Sequence, residues 1–178
     1  MNTQLIMEAL AFAIAAHGEQ KRKYTGEPYV NHVVAVARTV QALDGSDEMI
    51  AAALLHDVLE DTATTYVELV DKFGRKVADL VLELTDRFDN PVLHGNRATR
   101  KALERARLAQ DSPAAQTIKL ADMLDNSASI MTYDPAFAKV YLPEKIALFK
   151  VLTKADQRLH TAFNVQMTEV CHGLQPQG

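Results

Sequence analysis

The sequence predicts an all-α fold, a bundle of roughly eight helices in one domain. Three observations carry that expectation. Apolar residues recur at three- and four-residue spacing along almost the whole chain, and the alternation of a half-buried strand is hard to find. Gly, Pro, Asn, Asp and Ser fall between the periodic stretches, where helices must start and stop. With 178 residues, 48% of them hydrophobic, the chain is long enough to bury one sizeable core.

Thr3 to His17 is rich in Ala and Leu, places Leu5, Ala9, Phe12, Ala13 and Ala16 on one stripe, and stops at Gly18. Glu19 to Glu27 is polar and basic, and reads as a loop. Pro28 suits the first turn of a second helix, whose Val30, Val33, Val34, Ala37 and Val40 keep helical spacing until Asp44-Gly45. Ser46 or Asp47 caps a third helix, which runs on through Ala53-Leu54-Leu55-His56-Asp57-Val58-Leu59-Glu60-Asp61-Thr62. A fourth runs from Thr64 or Thr65 to Phe73-Gly74, and a fifth from Val77 to Asp86. Asp89-Asn90-Pro91 and His94-Gly95-Asn96 mark a loop, followed by a charged helix from Ala98 to Gln110. Asp111-Ser112-Pro113 combines a cap with a proline and opens a helix from Ala114 to Ile130, broken at Tyr133-Asp134-Pro135. One long helix, or two split near Pro143, completes the chain to about Val170. Residues 1–172 are expected to form a single domain and 173–178 a disordered tail.

Composition narrows the function classes. A formal charge of −4 argues against broad binding to nucleic acid or an anionic membrane. The single cysteine, Cys171, excludes an intrachain disulfide and a cysteine zinc cluster and suits a reducing compartment. The apolar run from Leu5 to Ala16 contains Glu8, lacks a basic leader and is too short to span a bilayer. The expectation is therefore a cytoplasmic protein with neither nucleic-acid nor membrane partner. Its oligomeric state stays open, a homodimer included. No glycine-rich phosphate loop, nucleophile elbow or dinucleotide fingerprint is present.

Chemistry concentrates in the third helix. In a continuous helix His56 sits beneath Glu60, and Asp57 beneath Asp61. Carboxylates crowd a helix C-terminus, the end where the macrodipole disfavours them, and a divalent cation is the simplest compensation. His32 stands in the Val-rich second helix, a place where a lone histidine is more often a satisfied core residue. Asp122, Asn126 and Ser129 share one polar face of an otherwise apolar helix, which a solvated stripe would also produce. Taken together, His32, His56, Asp57 and Asp122 form a nitrogen and oxygen donor set suited to Mn²⁺, Fe²⁺ or Zn²⁺ better than to Ca²⁺. Glu60 and Asp61 are then placed to accept or deliver protons, and Arg22, Lys23 and Lys119 to offset a polyphosphate. His17 reads as a helix-end group or as a partner behind the site, while His94, His160 and His172 read as solvated. The basic run Arg97, Arg100, Lys101, Arg105 and Arg107 reads as a solvated helix face, with phosphate steering as the alternative. Ser112 reads as a cap.

These residues resemble the HD-domain metal phosphohydrolases. The flanking words resemble the RelA/SpoT hydrolase domain more narrowly: Arg22-Lys23, Gly26-Glu27-Pro28-Tyr29 leading to His32, Leu54-Leu55-His56-Asp57 with Glu60-Asp61-Thr62, Phe73-Gly74 with Val77-Ala78, and Lys119-Leu120-Ala121-Asp122 with Asn126. The match runs in family order from about residue 9 to 131. At this length the chain resembles the stand-alone small alarmone hydrolases, which include the metazoan SpoT homologues. The resemblance implies an HD-domain helical bundle that hydrolyses the 3′-pyrophosphate of guanosine 3′,5′-bis(diphosphate)-like alarmones with Mn²⁺, releasing pyrophosphate and GDP or GTP. It implies that His32, His56, Asp57 and Asp122 hold the metal and that Glu60 and Asp61 position and activate water. Arg22, Lys23 and Lys119 would then meet phosphates or the base, and Asn126 and Ser129 the nucleoside. Two departures bear on specificity: Tyr24-Thr25 in the basic loop, and Asp125 where the bifunctional relatives commonly carry His. The alternatives are the same chemistry on adenosine alarmones or on the 2′-phosphate of NADPH, a non-catalytic nucleotide-binding module, and a purely structural helical protein.

Overall fold

A computed structural model describes residues 2–173, with side chains described to residue 168. Among these residues the structure is helical throughout, and a lone bridge between Lys21 and Pro28 is its sole β feature. The order is α1 (Thr3–His17), α2 (Val30–Ala42), α3 (Asp47–Leu55), α4 (Val58–Asp61), α5 (Tyr66–Leu84), α6 (Pro91–His94), α7 (Arg97–Leu108), α8 (Pro113–Tyr133), α9 (Pro135–Phe149) and α10 (Gln157–Gly173). The expected tail, Gly173 apart, lies outside the described residues.

α3 is the buried centre. Every residue from Ile50 to Leu55 is buried, so this stretch has no solvent face, and α3 packs against α1, α2 and α5. Truncating fully buried Leu55 to Ala would cost about 2–5 kcal/mol. α8 is the second spine, in contact with α2, α5, α9 and α10. The polar stripe expected on it faces α2 and the basic loop, not bulk water, which is what turns three separate helices into one site.

Three expectations are corrected. The third helix does not continue through Thr62: it ends at Leu55 and a short α4 begins at Val58. The His56 imidazole donates from Nδ1 to the Ala53 carbonyl at 2.8 Å, the acceptor the Asp57 N–H would use in an unbroken helix. The segment taken as a loop around Pro91 contains α6, capped by the Asn90 side chain. The last break falls at residues 150–156, not at Pro143, which lies inside α9. There the Lys154 and Asp156 N–H groups are held by Gln116 and Thr117 of α8, so the turn is fixed by a distant helix. The two helices expected between Thr64 and Asp86 are both present, joined end to end within α5 at a non-helical kink where Gly74 takes φ +79°. That positive φ is why a glycine stands at the break.

The basic loop between α1 and α2 is a tight hairpin-like turn. Arg22 N–H donates to the Glu27 carbonyl at 2.8 Å and Tyr29 N–H to the Gln20 carbonyl at 2.9 Å. Gly26 supplies the φ of +70° that closes it. This backbone pins Arg22 and Tyr29 over the start of α2.

Candidate metal centre

His32 from α2, His56 and Asp57 from the α3–α4 break, and Asp122 from α8 converge. Donor atoms of His32, His56 and Asp57 lie within 4.8 Å of one another. Asp57 Oδ2 is 3.1 Å from His56 Nε2 and 3.6 Å from His32 Nε2. Asp122 Oδ1 is 3.3 Å from His32 Nε2 and 3.8 Å from His56 Nε2. His32, His56 and Asp122 are buried, and Asp57 is nearly so.

Each ring is held from behind. His32 Nδ1 meets Asp125 Oδ2 at 2.7 Å, and His56 Nδ1 meets the Ala53 carbonyl. With Nδ1–H spent on those acceptors, each Nε2 turns a lone pair inward. Among the described residues neither Nε2 has a hydrogen-bond partner, and a buried polar atom without one is costly. Burial works to lower the pKa of both imidazoles, but the carboxylates around them outweigh it and hold both above the ordinary histidine value. Burial likewise opposes ionisation of Asp57 and Asp122. His56 beside Asp57, and Lys119 with both imidazoles beside Asp122, nevertheless keep these carboxylates well below the usual range. The cluster therefore calls for positive charge at its centre, and its two nitrogens and two carboxylates fit a divalent cation.

On one flank the Tyr29 hydroxyl donates to Asp57 Oδ2 at 2.7 Å. The His17 ring packs on Tyr29 with centroids 4.8 Å apart, and His17 Nδ1 meets Gln20 Oε1 at 2.8 Å. Gln20 in turn donates to Asp61 Oδ2 at 3.0 Å. His17, the last residue of α1, is thus also a buried partner behind the site. On the other flank Glu60 accepts the Asp86 N–H at 2.6 Å. Although its side chain reaches solvent, the protein mass around its carboxyl raises the pKa, Lys119 opposing and Asp86 assisting, up to about 7. Glu60 and Asp61 are consecutive yet serve opposite flanks, since neighbours in α4 project about 100° apart.

The remaining expected residues sort by position. Arg22 reaches the Asp125 carboxylate, Asn126 Oδ1 at 3.2 Å and Ser129 Oγ at 3.1 Å, while Asn126 donates to Asp122 Oδ1 at 2.6 Å. Lys119 Nζ lies 3.1 Å from Asp122 Oδ2. Lys23 stands apart at the rim, over the rings of Tyr24 and Phe137. Arg97 and Arg107 are taken by Glu144 and Glu104. His94 packs edge-on against Phe88, and His160 meets the Leu152 carbonyl beside Phe149, so neither is simply solvated. The side chain of His172 lies outside the described residues. Sequence reasoning missed Tyr29 and Asp86 as partners. It noticed Asp125 without seeing that it orients His32. Tyr29 carried one usable signal, a phenol three residues before His32 on the same helical turn.

A histidine–aspartate pair set across a helix break, completed by a histidine and an aspartate from flanking helices, defines the HD domain, and the chain belongs to that family, whose profile matches residues 9–170. More particularly it belongs with the MESH1-type members. It is 39% identical over 132 residues to the guanosine-3′,5′-bis(diphosphate) 3′-pyrophosphohydrolase MESH1 of Drosophila melanogaster, covering 72% of this chain and 71% of that one. The Homo sapiens MESH1 is 41% identical over 124 residues, covering 68% and 66%. A guanosine-3′,5′-bis(diphosphate) 3′-pyrophosphohydrolase of Aquifex aeolicus is 36% identical over 147 residues, and there the chain spans 21% of the relative's length. A solved structure of a metazoan ortholog of SpoT, described as hydrolysing ppGpp, superposes with a TM-score of 0.82 at 28% identity, covering 98% of each chain.

Proposed function

We propose that this protein is a metal-dependent 3′-pyrophosphohydrolase of guanosine 3′,5′-bis(diphosphate)-like alarmones, releasing pyrophosphate and GDP or GTP, with Mn²⁺ as the metal. The observation that carries the reading is the pair of buried, unpartnered Nε2 atoms of His32 and His56 aimed between two carboxylates. The kinship with MESH1 supports the substrate class. A divalent cation held by His32, His56, Asp57 and Asp122 supplies Lewis-acid polarisation of a phosphoryl oxygen and a lowered pKa for water.

The chain's own residues do the rest. Tyr29, Asp125 and Asn126 fix the donors by hydrogen bonds to Asp57, His32 and Asp122. Glu60, with its carboxyl near neutrality, takes a proton from the attacking water. Asp61, anchored by Gln20, orients that water from the opposite flank. Burial disfavours the charge of Lys119, but Asp122, Asp86 and Glu60 hold the amine protonated, ready for a phosphoryl oxygen. Arg22, Lys23, Asn126 and Ser129 line the side where the nucleoside enters. With one cysteine, and no helix among the described residues long and apolar enough to cross a membrane, we place the activity in the cytoplasm.

The same chemistry on an adenosine alarmone is the second reading, since an aromatic side chain stacks on either purine. Tyr24 packs on the small cluster of Ile130, Ala138, Tyr141 and Leu142, so this chain's basic loop carries an aromatic wall. The purified protein should be given ppGpp, pppApp and NADPH with Mn²⁺, and the products resolved by ion exchange. Pyrophosphate is expected from ppGpp, and its absence from every 3′-pyrophosphorylated nucleotide would overturn the reading. Nucleotide binding by a protein that stays metal-free in excess Mn²⁺ would point instead to a binding module.

A further inference from the structure

Beside the metal centre lies a small second cavity of about 40 Å³, walled by Asp86, by Lys101, Glu104 and Arg105 of α7, by Lys119 of α8, and by Glu144 and Lys145 of α9. Four cations and three carboxylates face it, but the carboxylates are already committed. Asp86 takes Lys101 at 3.2 Å, Glu144 takes Arg97 through two bonds of 2.7 and 2.8 Å, and Glu104 takes Arg107. Lys119 is held by Asp122. Lys145 and Arg105 are left over: among the described residues neither makes an ion pair, and Lys145 has only the Tyr141 ring, 5.0 Å away. Burial, then the nearness of Lys119 and Lys101, pull the Lys145 ammonium down to about 8. Burial and two neighbouring ammonium groups outweigh the Asp122 and Asp86 carboxylates here, so Lys145 stands as a half-buried cation with no counter-ion of its own among the described residues. The surplus in this cavity is positive, so its ligand is an anion, and a cation is disfavoured although three carboxylates are present.

Lys119 belongs to both places. Its ammonium touches a metal-binding carboxylate and also lines the second cavity, so an anion there lies one side chain from the cluster. We propose that this cavity is a phosphate subsite in which Lys145 and Arg105, backed by Lys101 and Lys119, receive the distal phosphoryl group of a diphosphate whose proximal phosphoryl sits at the His–Asp cluster. The proposal rests on the pyrophosphohydrolase reading and adds to it a device for preferring a ribose-bound diphosphate to a monophosphate. A monophosphate engages the cluster alone, whereas a diphosphate reaches both. The leaving pyrophosphate is held by the same lysines until it departs.

The test uses the full chain, loaded with Mn²⁺ and dialysed, with inorganic pyrophosphate and inorganic phosphate as probes in equilibrium binding. Lys145→Met keeps the length and removes the charge. It should weaken pyrophosphate binding about tenfold or more and leave phosphate binding nearly unchanged. It should also raise KM for a 3′-diphosphate more than for a ribose monophosphate, and Lys145→Arg should restore both. Equal losses for the two probes, or no loss for either, would overturn the subsite. Should Lys145→Met fail to fold, Arg105→Gln, at a half-exposed position, carries the same comparison, and the same outcomes support or overturn the subsite. A wild-type protein that binds pyrophosphate through Lys145 but cleaves no 3′-diphosphate would sink the proposed reaction and leave the subsite standing.

Discussion

Two buried polar groups on α8 are built on opposite rules. Near its start, Gln116 donates to the Leu108 and Ala109 carbonyls at 2.8 and 3.3 Å and accepts the Lys154 N–H at 2.9 Å. Thr117 beside it donates to the Pro113 carbonyl at 2.7 Å and accepts the Asp156 N–H at 3.1 Å. Both side chains are fully used, and they fasten the turn between α9 and α10. Further along the helix, Asp122 faces His32 and His56, whose Nε2 atoms are buried and unpartnered. At Gln116 and Thr117 the polar groups are saturated by their own protein, whereas the two imidazoles of the cluster are aimed, supported from behind and left open in front.

The sharpest way to break this comparison is at the open end. His56→Ala should remove metal binding, measured by metal analysis after dialysis, and lower turnover by about a thousandfold or more with the helical content intact. Surviving activity would show that the orphaned nitrogens are not ligand sites. Glu60→Gln should lower kcat by about 10²–10⁴. A base must be ionised, so wild-type turnover should fall as pH drops through about 7 or somewhat below, and that inflection should vanish in the variant. The sign for stability is the reverse. The folded state holds a proton on Glu60 above the ordinary 4.5, so the native protein loses stability as pH rises through that window. Glu60→Gln should therefore melt slightly higher than wild type at pH 8.

At the saturated end the signature is exchanged. Gln116→Leu strands the Lys154 N–H and takes a donor from two carbonyls, and should cost about 2–4 kcal/mol in denaturant unfolding, while the folded fraction keeps its kcat. Between the two lies Tyr29→Phe, which removes the hydroxyl from Asp57 and should weaken metal affinity about 10- to 100-fold without lowering the melting temperature much. Thr117→Val is the smallest, about 1 kcal/mol of stability and no change in metal affinity. A loss of activity in Thr117→Val that exceeds its loss of fold would erase the distinction between the two ends.

Much of this was legible in the residues. Helical spacing placed His32 on the valine face of α2 and Asp122 on the polar stripe of α8, and both are where that spacing put them. Caps at Ser46, Thr65 and Ser112 accept the N–H groups expected of them, because a cap is settled within three residues. The break at His56 was not legible. Ala and Leu favour helix on its N-terminal side, and the competing bond from the imidazole to Ala53 is a choice between two local geometries that composition does not rank. Pro143 misled in the other direction: a residue that weakens a helix was carried by the burial of Tyr141, Leu142 and Leu148 around it.

Periodicity, capping and the types of the polar residues determined by themselves that the chain is helical, where its main helices lie, and which side chains were candidates for a metal. Those properties act over one or two turns, within reach of neighbours in sequence. Only the tertiary structure decided that the four candidates meet, that Glu60 and Asp61 part to opposite flanks, and that Asp125 and Tyr29 brace the cluster. It alone brought Lys145 beside Lys119. Each of these depends on pairing between residues 26 to 103 positions apart, and such distances are set by how helices pack, which no short window of sequence contains.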